Sequence, residues 1–329
     1  MIDFIIAWVN GNDPKWINEK NNYQTDETQD VSEARYRDWD NLQYWFRAVE
    51  KYATWVRKIH FVTYGHIPKW LNIDNPKIHI VKHEDFIPKE YLPTFNSHTI
   101  ELNLHRIEGL SEQFVYFNDD MFLTAPTEEN YFFKDGKPCD EFILDAVYFS
   151  PDSAGAYNGN DLELINKHFN LKKIRSKYSF IQLYNPSYGI KNLFRNITLI
   201  QWPWFTGFHY NHLPTSILKS TMCEIWEEEY ETLNRTCLDK FRSKRNVNQW
   251  LFKYWQLASG NFYPRSPKSG RVFHLKKAPC NELSESILKQ RYKMICINDK
   301  LKTQSFDEHK EAVIKALETM LPYKSKYEL

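Results

Sequence analysis

Ile2-Asp3-Phe4-Ile5-Ile6-Ala7-Trp8-Val9 runs straight into Asn10-Gly11-Asn12-Asp13-Pro14, and this junction decides how the chain folds. A short, nearly all-apolar run that ends in turn residues is the pattern of a buried strand leading into a loop. Asp3 sits inside the run, with no basic leader before it and no cleavage site after it, so a signal peptide is not expected. Outward from there, Leu42, Trp45, Phe46, Val49 and Tyr52 recur at helical spacing, with Arg47, Glu50 and Lys51 off that stripe. Ile59–Thr63 and Ile78–Val81 read as further strands bounded by Gly or Pro. Ile100, Leu104 and Ile107 predict another helix, closed by Gly109. Phe114-Val115-Tyr116-Phe117 then reads as a strand that stops at Asn118-Asp119-Asp120. The order β-loop-α-β-β-α-β predicts an α/β fold with a Rossmann-like, mostly parallel sheet.

Beyond this core the pattern changes. Residues 123–205 read as an irregular basic and aromatic insertion, and 206–329 as a helical part packed as one unit with the 1–122 core. Ile217, Leu218, Met222, Ile225 and Trp226 predict one helix, with Pro214 placed for its first turn. Val247, Trp250, Leu251, Tyr254, Trp255 and Ala258 predict a second, and Ala312, Val313, Ala316, Leu317 and Met320 a third that Pro322 stops.

The 329 residues can bury a substantial core. Lys plus Arg number 43 against 42 Asp plus Glu, so the overall charge gives no support to a nucleic-acid binder. Positive charge is local: Lys167 to Arg195 contains seven Lys or Arg and no acidic residue. That stretch is either solvated surface or a site of attraction for a phosphorylated acceptor or an anionic membrane. Aromatics at 16% suit sugar stacking as well as ordinary cores. No apolar run approaches the ~18 residues that span a bilayer. The cysteines, Cys139, Cys223, Cys237, Cys280 and Cys296, are odd in number and without close pairs, which points to a reducing, cytoplasmic setting.

Candidate chemistry gathers at a few places. Asp119 and Asp120 end a strand, where open α/β sheets bind ligands, and paired carboxylates suit Mg²⁺ or Mn²⁺; Asn-Asp-Asp also serves as a capped turn. Ser97, Glu101 and His105 are spaced i, i+4, i+8 and would form one polar helical stripe. His209 and His212 precede Pro214, and either could accept a proton near neutral pH. Arg242, Lys244 and Arg245 cluster before the next helix and could hold phosphate. Trp8, Asn10 and Asp13 lie in the loop after the first strand, which carries one Gly and no phosphate-cradling repeat.

Taken in order, these pieces resemble the Stealth family of capsular polysaccharide phosphotransferases, which also contains the animal enzyme that attaches N-acetylglucosamine-1-phosphate to lysosomal glycoproteins. Four blocks carry the resemblance. They are Ile2 to Pro14; Arg35-Tyr36-Arg37-Asp38 through Leu92-Pro93-Thr94-Phe95-Asn96-Ser97 and Ile100-Glu101 to Asn118-Asp119-Asp120; His209 to about Trp250; and Cys296-Ile297-Asn298-Asp299. The resemblance implies a glycosyltransferase-like fold whose 1–122 core binds a nucleotide-sugar. It also implies transfer of a sugar-1-phosphate to a saccharide or lipid-linked saccharide hydroxyl, usually with a divalent cation, to make phosphodiester-linked capsular or cell-surface polysaccharide. The matching site candidates are Ser97, Glu101, Asp119, Asp120, His212 and Arg242. The His-x-Pro pattern falls on His212-Leu213-Pro214, which favours His212 over His209. Asn246 stands where the family often has Asp. The expected roles are Asp119 and Asp120 for the metal, His212, Arg242, Glu101 and Ser97 for catalysis, and Trp8, Asn10 and Asp13 for the nucleotide-sugar. The 123–205 insertion would meet the acceptor, and 167–195 would give peripheral contact with the inner face of the membrane. Two rival readings are a metal-dependent glycosyltransferase releasing nucleoside diphosphate and a non-catalytic sugar-binding module.

Overall fold

The computed structural model describes residues 1–24, 37–149, 155–275, 280–299, 301 and 305–329. Arg35, Tyr36 and the side chain of Cys280 lie outside the described residues. The central sheet joins β1 (Ile2–Trp8), β2 (Ile59–Thr63), β3 (Ile78–Lys82), β4 (Gln113–Asn118) and, later in the chain, a strand at Thr215–Leu218. Its order runs Ile78–Lys82, Ile59–Thr63, Ile2–Trp8, Gln113–Asn118, Thr215–Leu218. The first four strands are parallel and the last is antiparallel. The expected α/β fold with a mostly parallel sheet is what forms.

The near-continuous apolar run of β1 follows from burial on both faces. Phe4 and Ile6 enter one core with Trp45, Phe46, Val49 and Phe117. Ile5 enters the other with Val62, Phe114, Tyr116 and Ile217. Asp3, at the opposite end of the sheet from the candidate site, is fully buried. Its carboxylate accepts from Arg57 Nε at 2.8 Å and Ser111 N–H at 2.8 Å, with His60 Nε2 at 3.1 Å.

Two smaller sheets accompany it among the described residues. β5 (Met121–Leu123) follows β4, and β6 (Phe133–Lys134) pairs antiparallel with β7 (Lys137–Asp140). With Thr215–Leu218 as β8, the remaining strands are β9 (Tyr263–Pro264), β10 (Gly270–His274) and β11 (Met294–Asn298). β7 takes β9 as a parallel neighbour, and β11 lies between parallel β10 and antiparallel β5.

Three expectations need correction. The C-terminal part is not purely helical: it supplies β8 to the main sheet and β9 to β11 to the others. Ile217 and Leu218 belong to β8, and the helix begins at Lys219. What the spacing cannot show is the sheet edge. The outer side of β8 is closed by one side chain, because Gln256 Oε1 accepts from Leu218 N–H at 2.9 Å and Gln256 Nε2 donates to Ser216 O at 3.0 Å. The described residues of 123–205 are also more regular than expected, with helices at Gly155–His168 and Ile190–Leu199. Lastly, the helix carrying Ser97 stops at Asn103 and tightens into a 3₁₀ turn over Leu104–Arg106. Asn103 Nδ2 donates back to Thr99 O at 2.8 Å, competing with helix continuation. His105 therefore leaves the Ser97–Glu101 stripe and packs against Trp226, ring centroids 5.9 Å apart.

Candidate active site

β1 and β4 lie side by side and parallel, so their carboxyl ends open at one edge. Ala7 stands opposite Asn118 and Trp8 opposite Thr63, which puts the loop after Trp8 beside Asn118-Asp119-Asp120. That acidic turn leads into β5, where Met121 pairs with Cys296 of β11. The Asp120 carbonyl accepts from Ile297 N–H at 2.8 Å. The Cys296–Asp299 segment therefore runs alongside the turn, although the two are far apart in sequence.

Asp120 meets two further groups. The Cys296 thiol donates to Oδ2 at 3.2 Å, and His212 Nε2 lies 3.5 Å from the same oxygen and 3.4 Å from Asn118 Nδ2. His212 is held by aromatic rings: Tyr210 lies nearly parallel to it at 6.2 Å and Trp250 stands 6.1 Å away. His209 is placed differently: its backbone N–H donates to Ile143 O at 2.8 Å, and burial pushes its imidazole below the usual range.

A second cluster faces the same cleft. Arg242 Nη2 donates to Ser97 Oγ at 2.5 Å, Ser97 Oγ donates to Glu101 Oε1 at 3.1 Å, and Glu101 Oε2 accepts from Gln249 N–H at 3.4 Å. Glu101 is buried, and burial raises its carboxyl above the ordinary value. Arg242, the Gln249 N–H, the Ser97 hydroxyl and the charge of His212 pull it back only in part. Arg242 and His212 both lie near enough to Glu101 for their charges to act on its carboxyl. Lys244 and Arg245 are exposed, and Arg245 pairs with Asp239, so of the three only Arg242 turns inward.

Asn96 and Asn246 frame this cluster. Asn96 Oδ1 caps the Ser97–Asn103 helix by accepting from His98 N–H at 3.1 Å. Its Nδ2 donates to Asn246 Oδ1 at 3.1 Å and Asp239 O at 3.1 Å. Asn246 Oδ1 also accepts from Ser243 N–H at 2.8 Å, and Asn246 Nδ2 donates to Asp239 Oδ2 at 2.8 Å. Asn246 is thus a buried bracket that needs both an amide donor and an amide acceptor.

In the loop after β1, Asn10 N–H donates to His66 Nδ1 at 3.1 Å, and Asp13 Oδ1 caps the Pro14–Tyr23 helix through Trp16 N–H at 2.9 Å. Trp8 packs on Phe61 at 5.9 Å. The loop is therefore shaped by its own side chains and by His66, which the sequence reading did not single out although it lies in the loop after a neighbouring strand.

Residues 2–26, 35–140 and 285–329 match Stealth protein conserved regions 1, 2 and 4. The chain is 44% identical over 330 residues to the capsular polysaccharide phosphotransferase WcwK of Streptococcus pneumoniae, covering 99% of this chain and 98% of that one. The chain belongs to the Stealth family. Two further Stealth-like relatives are the receptor polysaccharide phosphotransferase WefC of Streptococcus gordonii and the exopolysaccharide phosphotransferase cps2G of Lactiplantibacillus plantarum. WefC is 40% identical, covering 100% of this chain and 99% of that one, and cps2G is 36% identical, covering 99% and 96%. The crystal structure of the galactosyltransferase LgtC with donor and acceptor sugar analogues aligns over 99% of this chain and 98% of that one, at 9% identity and a TM-score of 0.42. This Stealth protein is an enzyme of the transferase class.

Within this Stealth site the two carboxylates of the acidic turn are close enough to act on each other. Asp119 is exposed at the turn, with protein packed around its carboxylate. Its enclosure, then the charges of Asp120 and Asp38, raise its carboxyl to about 7, with His212 pulling the other way. Asp120 Oδ1 is buried without a hydrogen-bond partner. The donor set is compatible with a divalent cation: Asp120, His212 and Cys296 offer ligand atoms within 4.8 Å of one another. The thiol already donates to Asp120, which leaves the carboxylate oxygens of the turn as the hard donors here. The sequence reading missed Asp38, whose charge reaches Asp119. It also gave no role to Asp299, which pairs with Arg37 at 3.4 Å. Both belong to blocks already quoted, but nothing in local spacing ties them to the turn.

Proposed function

We propose that this protein transfers a sugar-1-phosphate from a nucleotide-sugar to a saccharide hydroxyl, making phosphodiester links in capsular or cell-surface polysaccharide. The observation that carries this is the meeting of His212 with Asp120 at 3.5 Å beside the Arg242–Ser97–Glu101 chain. A proton acceptor, an acidic turn and a guanidinium share one cleft. The full-length relatives named phosphotransferases support it.

In this scheme His212 takes the proton of the acceptor hydroxyl, and the oxygen attacks the sugar-proximal phosphorus in line. The bond to the nucleotide phosphate breaks, and nucleoside monophosphate leaves. Such transfer needs alignment and charge neutralisation more than covalent help. Arg242 offsets charge on the transferred phosphoryl group, and Ser97 and Glu101 hold that guanidinium in place. Asp119 and Asp120 would hold Mg²⁺ or Mn²⁺, which when bound neutralises diphosphate charge. Trp8, Asn10 and Asp13 line the nucleotide side. The acceptor is a saccharide or lipid-linked saccharide met by residues 123–205, at the cytoplasmic face of the membrane.

The test is purified protein with a panel of nucleotide-sugars, acceptor saccharide and Mg²⁺, with the released nucleotide identified. Nucleoside monophosphate is expected. Nucleoside diphosphate would mean attack at the sugar carbon by a glycosyltransferase, and no turnover with any donor would leave a sugar-binding module. Asp120→Asn and His212→Ala should each lose most turnover with thermal unfolding nearly unchanged. Asp120→Asn should also weaken Mn²⁺ binding read by electron paramagnetic resonance.

A further inference from the structure

Residues 172–204 build a surface that the transfer site does not use. In the Ile190–Leu199 helix the apolar side chains at i, i+4 and i+7 face outward: Ile190 is 87% exposed, Phe194 67% and Ile197 52%. Phe180, Ile181, Trp202 and Trp204 are exposed as well. So many exposed apolar side chains within one stretch of chain normally mark a partner, since isolated exposed apolar residues are common but such concentrations are not.

The helix cannot roll to hide that face. Asn196, on its inner side, is buried and makes three bonds to the backbone of neighbouring segments. Its Oδ1 accepts from Leu144 N–H at 2.8 Å, and its Nδ2 donates to Phe142 O at 2.7 Å and Leu183 O at 2.8 Å. Arg195 adds an ion pair to Asp145 at 2.9 Å. The Trp202–Trp204 turn is tied to the basic segment, since Lys172 N–H donates to Pro203 O at 3.1 Å.

Charge says what the partner is. The chain has no Asp or Glu between Glu163 and Glu224. Lys172, Lys173, Arg175, Lys177 and Lys191 are exposed, and no carboxylate pairs with any of them among the described residues. Two exposed tryptophans, outward aliphatic and phenyl groups and unpaired cations are what a lipid–water interface with anionic headgroups accepts. No helix among the described residues is long and apolar enough to cross a membrane, so contact of this kind would be made from the surface. We infer that Phe180, Ile181, Ile190, Phe194, Ile197, Trp202 and Trp204, set among these cations, dock the enzyme on an anionic bilayer. That the bilayer carries a lipid-linked acceptor rests on the function proposed above; the docking does not.

Co-sedimentation of the full chain with phosphatidylcholine vesicles, with and without phosphatidylglycerol, tests this. The protein should sediment with the anionic vesicles, stay in solution with the neutral ones, and be released by about 0.5 M salt, where surface charges are screened. Phe194→Ser combined with Ile197→Ser should weaken binding about tenfold or more, and Lys172→Gln with Lys173→Gln should weaken it and flatten its salt dependence. Both variants should keep the wild-type melting temperature, because these side chains are exposed. Wild-type protein that ignores anionic vesicles at low salt, or variants that bind as well as wild type, would overturn the inference. So would a wild-type dimer that the Phe194/Ile197 variant splits without any vesicle binding, since the face would then join two copies. If vesicle binding holds while no nucleotide-sugar turns over, docking stands and the proposed function falls.

Discussion

At the scale of single residues, Asn246 shows how a position can look catalytic and be structural. The family resemblance leads one to expect Asp there, yet this side chain donates to Asp239 and accepts from Asn96 and Ser243. Asn246→Asp keeps the shape but replaces the donor with a carboxylate oxygen facing Asp239 at 2.8 Å. The lost bond and the like-charge contact should cost about 2–3 kcal/mol of folding stability. Denaturant unfolding at neutral pH checks this, and turnover per folded molecule should stay close to wild type. Equal stability would mean that Asp239 does not need the amide.

At the scale of elements, the site depends on the start of one short helix. Ser97 and Glu101 are one turn apart, so their shared bond forms only if the helix begins at the right residue. Asn96 fixes that start by capping it and by anchoring it to Asp239 and Asn246. Asn96→Ala should cost about 2–3 kcal/mol through the lost cap and the polar groups left unpaired. It should also lower turnover of the folded fraction about tenfold by loosening Ser97 and Glu101 against Arg242. Full turnover with reduced stability would show that the cap serves folding alone. Element boundaries were the least legible feature of the sequence. Ile217 and Leu218 fit a helical stripe with Met222, and they are strand because they pair with Phe114 and Gln113 of β4, with Gln256 satisfying the outer edge. Likewise the stripe through His105 was sound by spacing and failed because Asn103 bonds back to Thr99.

For the molecule as a whole, protonation is linked to unfolding. His105 is buried against Trp226, and burial, with the nearby Arg106 charge, lowers its pKa to about 3. Its folded value lies below the unfolded value of about 6.5, so the unfolded chain takes up the proton first as pH falls. The stability of the neutral ring is therefore complete above about pH 6.5 and is lost progressively as pH falls toward the folded value, by up to about 1.4 kcal/mol per unit. Relative to wild type, His105→Leu should become more stable as pH drops from 7.5 to 5, by about 2 kcal/mol. Parallel denaturant titrations of both proteins at several pH values would read this difference, and a constant gap would show that His105 is not held neutral.

The sequence alone determined the elements whose signal is local. A buried strand needs only an unbroken apolar run, as in Ile2–Trp8 and Phe114–Phe117, and an amphipathic helix needs only its spacing, as in Leu42–Tyr52. It also determined that Asp119 and Asp120 would stand at a strand's carboxyl end. Tertiary structure alone decided what meets them: His212 from 94 residues beyond Asn118, Cys296 from 176 residues beyond Asp120, and a charge on Asp38 from the segment just before the Leu42–Tyr52 helix. Strand order and register set those meetings, and both follow from how two cores close on one sheet, which no window of neighbouring residues contains.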